Sequence, residues 1–465
     1  MGNFRPMLRT ASLLALLLLP ASLGAQTRAP GAQGSANVRV VAHLPLGRIF
    51  TVSDVEIEQE LSRPYVYVSR MMGRFAPEAG FDVVDIRNPA KPRLAWSWRI
   101  PVAELHQGGG GMAGSYLKVR GRYYFAQSFQ FNQSGPDADL GAILFDVTGL
   151  PDTSTIKETA RIELPEGPGG FHEIFAYKHS TGRRLLFTTT QTPHGNIYDV
   201  EKLLAGGAGA LAGQIPIPDT TGGGSLRAYH DMYAAYDPVS GQDRFYGAGA
   251  SGYYIFNVTD LAAPKLLTSV AGVAGMRNGH TFAVTPDGRY GILETEYQYA
   301  PLRIVDLKPG LDGQVSTISR PIGAWISDWR TNPHNVEIRW PYVFVGAYEE
   351  GLQIFNMMDP TNPYTVGFYD TYDGPHARGR SPVVGDPEMR WRDPSWPIPA
   401  TAAVINGAWG IDVRNADGLI VIGDLMTGFW AFRMDGFDGW NGRQWGLPNV
   451  SSAQDWDNGP DGLKR

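Results

Sequence analysis

The chain has 465 residues, no cysteine, 40 Lys and Arg against 46 Asp and Glu, and 57 glycines with 34 prolines. A net charge of −6 without any basic block excludes the electrostatic footprint of a nucleic-acid binder, so no nucleic-acid partner is expected. The missing cysteines exclude disulfides, thiolate metal sites and cysteine nucleophiles, and the glycine and proline content suits short strands and tight turns rather than long helices.

The N-terminus reads as a targeting segment. Arg5 and Arg9 precede an apolar run, Ala11 to Leu19; Pro20 breaks it, and the small residues Ser22, Gly24 and Ala25 follow. That order is expected of a secretory signal peptide over residues 1–25. The run is too short for a spanning helix, which needs about 20 apolar residues. The mature chain is therefore expected to be secreted, periplasmic or on the cell surface, with no transmembrane anchor. Residues 26–36 are expected to be a mobile lead-in, and Asn37–Leu44 (NVRVVAHL) is a strand with no neighbour in sequence.

From there one phrase recurs: a glycine, a short apolar strand ending in Asp or Asn, and a turn that usually carries proline. It appears as GFDVVDIRNPAKP (80–92), GAILFDVTGLPD (141–152), GNIYDVEKLL (195–204), GYYIFNVTDLAAPK (252–265), APLRIVDLKPG (300–310), GLQIFNMMDPTNP (351–363) and GFWAFRMDG (428–436). Around the sixth copy the unit is plainest. Runs at 334–338, 342–346, 352–356 and 364–368 are β-branched or aromatic and bounded by turn residues, as four short strands should be. Seven four-stranded units of this period predict an all-β, seven-bladed β-propeller over residues 37–435. The orphan strand Asn37–Leu44 should complete the last blade, whose other strands fall near 408–414, 418–423 and 428–434. Residues 371–405 form an insertion, and the polar tail 436–465 lacks periodicity, so it is expected to be mobile.

The phrases VVDI, IVDL and QIFN resemble those of LVIVD-repeat proteins, a family of exported β-propellers, over nearly the whole mature chain. The resemblance implies the fold and little about chemistry, because the motif is structural.

With the innermost strand of each blade called A, the A–B and C–D turns share one face and look like plain hairpins. The B–C and D–A loops share the other face. There the D–A loops include HQGGGGMAG (106–114), PEGPGG (165–170), DTTGGGS (219–225) and the insertion, which carries His376, Arg378, Arg380, Arg390, Trp391, Arg392 and Trp396. The B–C loops carry Arg70, Arg74, Gln127, Gln130, His194, Glu294, Glu296, Glu349, Glu350 and Asp424. A protein or carbohydrate ligand is expected at this loop-rich face.

Aligning the A strands (FHEIFAY, YHDMYAA, GHTFAV, PHNVEI) places His172, His230, His280 and His334 at one repeat position in blades three to six. Ser53, Ser115 and Trp409 are the expected equivalents in the other blades. Four imidazoles at one height around the channel mouth suit a single divalent transition metal ion. Glu173, Asp231, Glu294, Glu296 and Glu337 are candidates to orient the rings. The arrangement is similar in outline to carotenoid-cleavage oxygenases, which are seven-bladed propellers with four histidines on iron, and to selenium-binding proteins. The other reading is that a repeat has copied a packing histidine. The pairs Glu294/Glu296 and Glu349/Glu350 suit acid–base work, but exposed loop charge is the simpler expectation. No nucleophile elbow, phosphate-binding glycine loop or EF-hand loop occurs. Two functional readings follow: a binding module acting through its loop-rich face, or a metal-dependent oxidoreductase or lyase centred on the four histidines.

Overall fold

The computed structural model describes residues 32–459 except 48–50, 72–77, 102–107, 132–139, 166–168, 191, 219–227, 277, 297–298, 330 and 373–405. The proposed signal peptide therefore lies outside the described residues, as do Arg74, His106 and every insertion residue named above.

Seven antiparallel sheets form a seven-bladed β-propeller. The innermost strands are Val52–Ile57, Gly108–Val119, Phe171–Lys178, Tyr229–Asp237, Thr281–Val284, Val336–Arg339 and Ala408–Val413. The expected closure is present: Val38–Leu44 pairs antiparallel with Gly428–Met434 as the outermost strand of blade seven. Small departures from the repeat are two short helices, Val200–Leu204 and Lys308–Leu311, and a fifth strand, Thr317–Ile318, parallel to the edge of blade four. Among the described residues no helix is long and apolar enough to cross a membrane.

Packing follows from the sequence pattern. B and C strands such as Tyr65–Arg70 and Leu140–Asp146 are buried along their whole length, because both faces are covered by neighbouring blades. Outer strands such as Arg93–Arg99 are half-exposed and carry the charge. Aromatic rings fill the wedges between blades: Tyr67 stacks on Phe125 at 4.3 Å, and Phe81 meets Phe145 edge-on at 4.9 Å.

Two segments differ from expectation. Residues 33–37 are not a loose lead-in; Ser35 N donates to Phe368 O at 3.0 Å and Asn37 Nδ2 to Val366 O at 2.9 Å, so they add to the edge of blade six. The described part of the tail is docked rather than free. It crosses the hairpin face of the ring, with Trp440 Nε1 donating to Trp340 O, Asn415 Nδ2 to Ser451 Oγ, and Lys178 Nζ to the carbonyls of Asp455, Trp456 and Asn458. Trp456 is 5% exposed and joins the cluster that contains Tyr116, Val119 and Ile174. Aperiodic Gly, Asn and Asp conceal such a strap, because its backbone is held by partners distant in sequence.

Candidate metal centre at the channel mouth

The innermost strands of blades one to four and seven all begin with a β-bulge. In blade three Phe171 faces Thr190 and Ile174 faces Thr188, which leaves His172 and Glu173 opposite Thr189 alone. A bulge re-aims side chains that strict alternation would send to opposite sides. Consecutive residues therefore serve the channel, histidine above and acid below: His172 and Glu173, His230 and Asp231 line the same cavity.

The register also corrects one alignment. In blade two Gly111 faces Phe129 and Gly114 faces Gln127, so the residues opposite Ser128 are Met112 and Ala113. Met112, not Ser115, is the blade-two counterpart of the histidines, and it lines their cavity. Ser115 sits further along and accepts from Ala176 N at 3.1 Å. The run HQGGGGMAG hid this, because residues 108–114 look like loop yet belong to the strand Gly108–Val119. Glycine is needed there: a Cβ on Gly111 would lie 2.6 Å from Arg70 O and 2.7 Å from Gly80 O of blade one.

The four histidines form an arc around one side of the mouth. Neighbouring ring centroids lie 4.1 Å apart (His172 and His230), 4.1 Å (His230 and His280) and 4.6 Å (His280 and His334), and Trp409 continues the arc 4.4 Å beyond His334. Their cavity is small, about 10 Å³, and is also lined by Met112, Glu173, Asp231 and Asn335.

Each ring but one is anchored through Nδ1. His172 donates to Oε1 of Gln130 at 2.7 Å, and His334 donates to Trp409 O at 3.0 Å. His280 Nδ1 is hydrogen-bonded to Thr281 Oγ1 at 3.0 Å, with Oε2 of the fully buried Glu294 2.5 Å away. Fixing Nδ1 fixes the tautomer and leaves Nε2 with a lone pair, the arrangement common to metal-bound histidines. Two buried nitrogens, His230 Nδ1 and His334 Nε2, have no hydrogen-bond partner. Burial lowers the histidine pKa values, to about 4 for His172 and about 3 for His280 and His334, and burial with the three neighbouring rings lowers that of His230 well below 6.5. The imidazoles are thus neutral, as ligation requires.

Among the described residues, donor atoms of His230, His280 and Glu296 all lie within 4.8 Å of one another. Glu296 reaches in from the B–C loop of blade five, with Oε2 3.7 Å from His280 Nε2. His172 and His334 stand at the two ends of the arc, flanking this group. Exposed loop charge is therefore the wrong expectation for the acids of this face: Glu294, Glu349, Glu350 and Asp424 are fully buried and Glu296 partly so. A signal was available. In GILETE two acids two residues apart extend an apolar strand, and alternation puts both on one side.

Of the acids expected to orient the rings, Glu294 lies against His280 without hydrogen-bonding it. Glu173, Asp231 and Glu337 instead line a second chamber of about 130 Å³, with Asp54, Glu56 and Asp412. Burial, with repulsion from neighbouring acids, raises the pKa of Asp54 to about 8 and of Asp231 and Asp412 to about 7, and pushes Glu56 and Glu173 well above the usual carboxylate range. Tail residues 451–454 and Trp456 line the same chamber at its hairpin-face end. Arg70 and Gln127 serve packing: Arg70 spans Leu46 O, Thr51 and Asp82, and Gln127 binds Ser69 and Ala113 O. His43 stacks on Trp430 at 3.9 Å, and His179 lies 3.2 Å from Asp243, both away from the arc.

Comparison with known proteins leaves this geometry to speak for itself. No protein-family model matches the chain, and no curated protein matches it. The likeness to LVIVD-repeat propellers rests on the blade phrases alone.

Proposed function

We propose that this protein is an exported LVIVD-type propeller that holds one divalent first-row transition metal ion at the loop-rich mouth of its channel. His230, His280 and Glu296 form the core of the site, with His172 and His334 beside them. The observation that carries this reading is the arc of four buried, neutral imidazoles with ring centroids 4.1–4.6 Å apart, in which two buried ring nitrogens, His230 Nδ1 and His334 Nε2, lack partners. A packing histidine would satisfy both nitrogens, since an unmade buried hydrogen bond costs about 1–3 kcal/mol. Two histidines and one carboxylate with positions left open suit non-haem iron or a similar ion, which would supply Lewis-acid or redox chemistry. The chain's own part is to present neutral nitrogens and to bring Glu296 beside them.

Metal analysis of protein produced without a polyhistidine tag tests the proposal. About one ion per chain is expected, lost in His230→Ala and His280→Ala variants that keep the wild-type circular dichroism. A chain that retains no iron, manganese, cobalt, nickel, copper or zinc after equilibration would overturn it. The loop-rich face would then be read as a scaffold for a protein or carbohydrate ligand, a role the propeller architecture also suits.

A further inference from the structure

The B–C loop of blade six places one side chain over the arc that neither the repeat nor the ligand set requires. Tyr348 is fully buried, and its hydroxyl donates to Oε1 of Glu296. Its ring lies 5.0 Å from that of His334 and 6.0 Å from Trp409. The backbone holding it is costly for a non-glycine residue, with φ at 41° in the left-handed region. That conformation is locked from blade seven: Tyr348 N donates to Ala408 O at 2.9 Å and Ala408 N to Tyr348 O at 3.0 Å. One tyrosine on blade six thus ties the carboxylate of blade five to the strand start of blade seven. Unfavourable backbone maintained by a specific clamp concentrates where a side chain must be aimed.

Resting on the metal-centre reading above, we infer that Tyr348 is a positioning residue for the ion: it occupies Oε1 of Glu296, so that Oε2 alone is offered as a ligand. The consequence is chemical. A glutamate free to rotate can chelate through both oxygens and consume a position that a reactant needs. With Oε1 engaged by the phenol, the carboxylate contributes one charge and one donor. The fold supports this division, because Oε2 is the oxygen facing His280 Nε2. Hydrogen-bond partners of ligands typically contribute about 10–100-fold to metal affinity.

Cobalt(II) serves as the probe, because its visible absorption reports coordination number and its binding is read without any assay of activity. Wild-type protein, Tyr348→Phe, Glu296→Gln and the double variant are titrated with Co²⁺. Tyr348→Phe keeps the ring that packs on His334 and Trp409 and removes only the hydroxyl. It should weaken Co²⁺ binding about 10–100-fold and change the absorption band towards higher coordination. The double variant should be no weaker than Glu296→Gln alone, since the two residues act as one unit. A Tyr348→Phe protein with wild-type affinity and spectrum overturns the positioning role while leaving the metal centre standing, as does a double variant whose loss is the sum of the two. A wild-type chain that binds no Co²⁺ overturns both. Should Tyr348→Phe fold poorly, Glu296→Gln in the intact Tyr348 background decides: a spectrum unchanged from wild type shows that the carboxylate is not offered, and the inference fails.

Discussion

Replacing Trp456 by alanine tests whether the C-terminal strap is a structural part of the ring. The indole is 5% exposed and its Nε1 has no hydrogen-bond partner, so what is lost is burial. Truncating a buried tryptophan costs about 3–5 kcal/mol, transfer and cavity terms together. Unfolding entropy of about 2.1 cal/mol/K per residue gives roughly 0.9 kcal/mol/K for a ring of this size, so the ceiling on the effect is a fall in Tm of about 3–6 °C. It is a ceiling because a terminal strap can detach by itself, which caps the global loss at the free energy that docks it. The sharper assay is therefore hydrogen exchange. Amides of residues 447–458 should lose protection in Trp456→Ala while those of the blades keep theirs. Lys178, 9% exposed and donating to three strap carbonyls, should become accessible to acylation at the same time. Trp456→Phe, which keeps most of the apolar contact, should restore most of the protection. Metal content should not change, since Trp456 lines the acidic chamber and not the histidine cavity. Unchanged exchange over 447–458 together with an unchanged Tm would refute the docked strap.

Two further outcomes follow from burial and charge. Metal-free protein should lose stability as pH rises from 6.5 to 8.5. Asp54, Asp231 and Asp412 are held protonated in the fold to about pH 8, 7 and 7 but ionise near 3.8 when unfolded, so the folded state carries extra protons across that window and its advantage disappears as they leave. The four histidines act in the opposite sense below about pH 6.5, where the unfolded chain takes up protons first, which is why the comparison begins there; urea melts showing greater stability at pH 8.5 would contradict the buried-carboxyl account. At the ring seam, Val38 is 5% exposed among Phe344, Phe432 and Met434, whereas Val40 on the same strand is 37% exposed. Val38→Asp should cost about 3–5 kcal/mol by burying an unpaired charge and Val40→Asp no more than about 0.5 kcal/mol; equal effects in chemical denaturation would mean the strand does not seat as described.

The fold was legible because its signal is repeated. Seven copies of one phrase identify the C strands, and an unpaired NVRVVAHL before the first copy has nowhere to go but the last blade. The histidine arc was legible for the same reason: a side chain recurring at one register must recur at one height. What resisted reading is whatever depends on a single position. Met112 lay behind a glycine run that mimics a loop, and only the strand register distinguishes it from Ser115. Glu296 and Tyr348 occur once each, in connections that differ from blade to blade, so no internal alignment brings them forward. The strap is aperiodic, and its partners Lys178, Trp340 and Asn415 lie in three different blades.

The seam has a consequence in time. Arg39 of the first strand and Asp435 beyond the last are bridged at 3.0 Å although 396 residues separate them. At about 5–20 residues per second, a ribosome takes roughly 20–80 s to deliver the second partner after the first. Throughout that interval the opening strand has an unsatisfied edge, the kind that pairs with whatever backbone is nearest. Its exposed face carries Arg39 and His43, which makes it a poor template for other chains while it waits. The order of synthesis thus asks of Val38–Leu44 something the finished ring does not: to remain sociable to one distant strand and unattractive to all others.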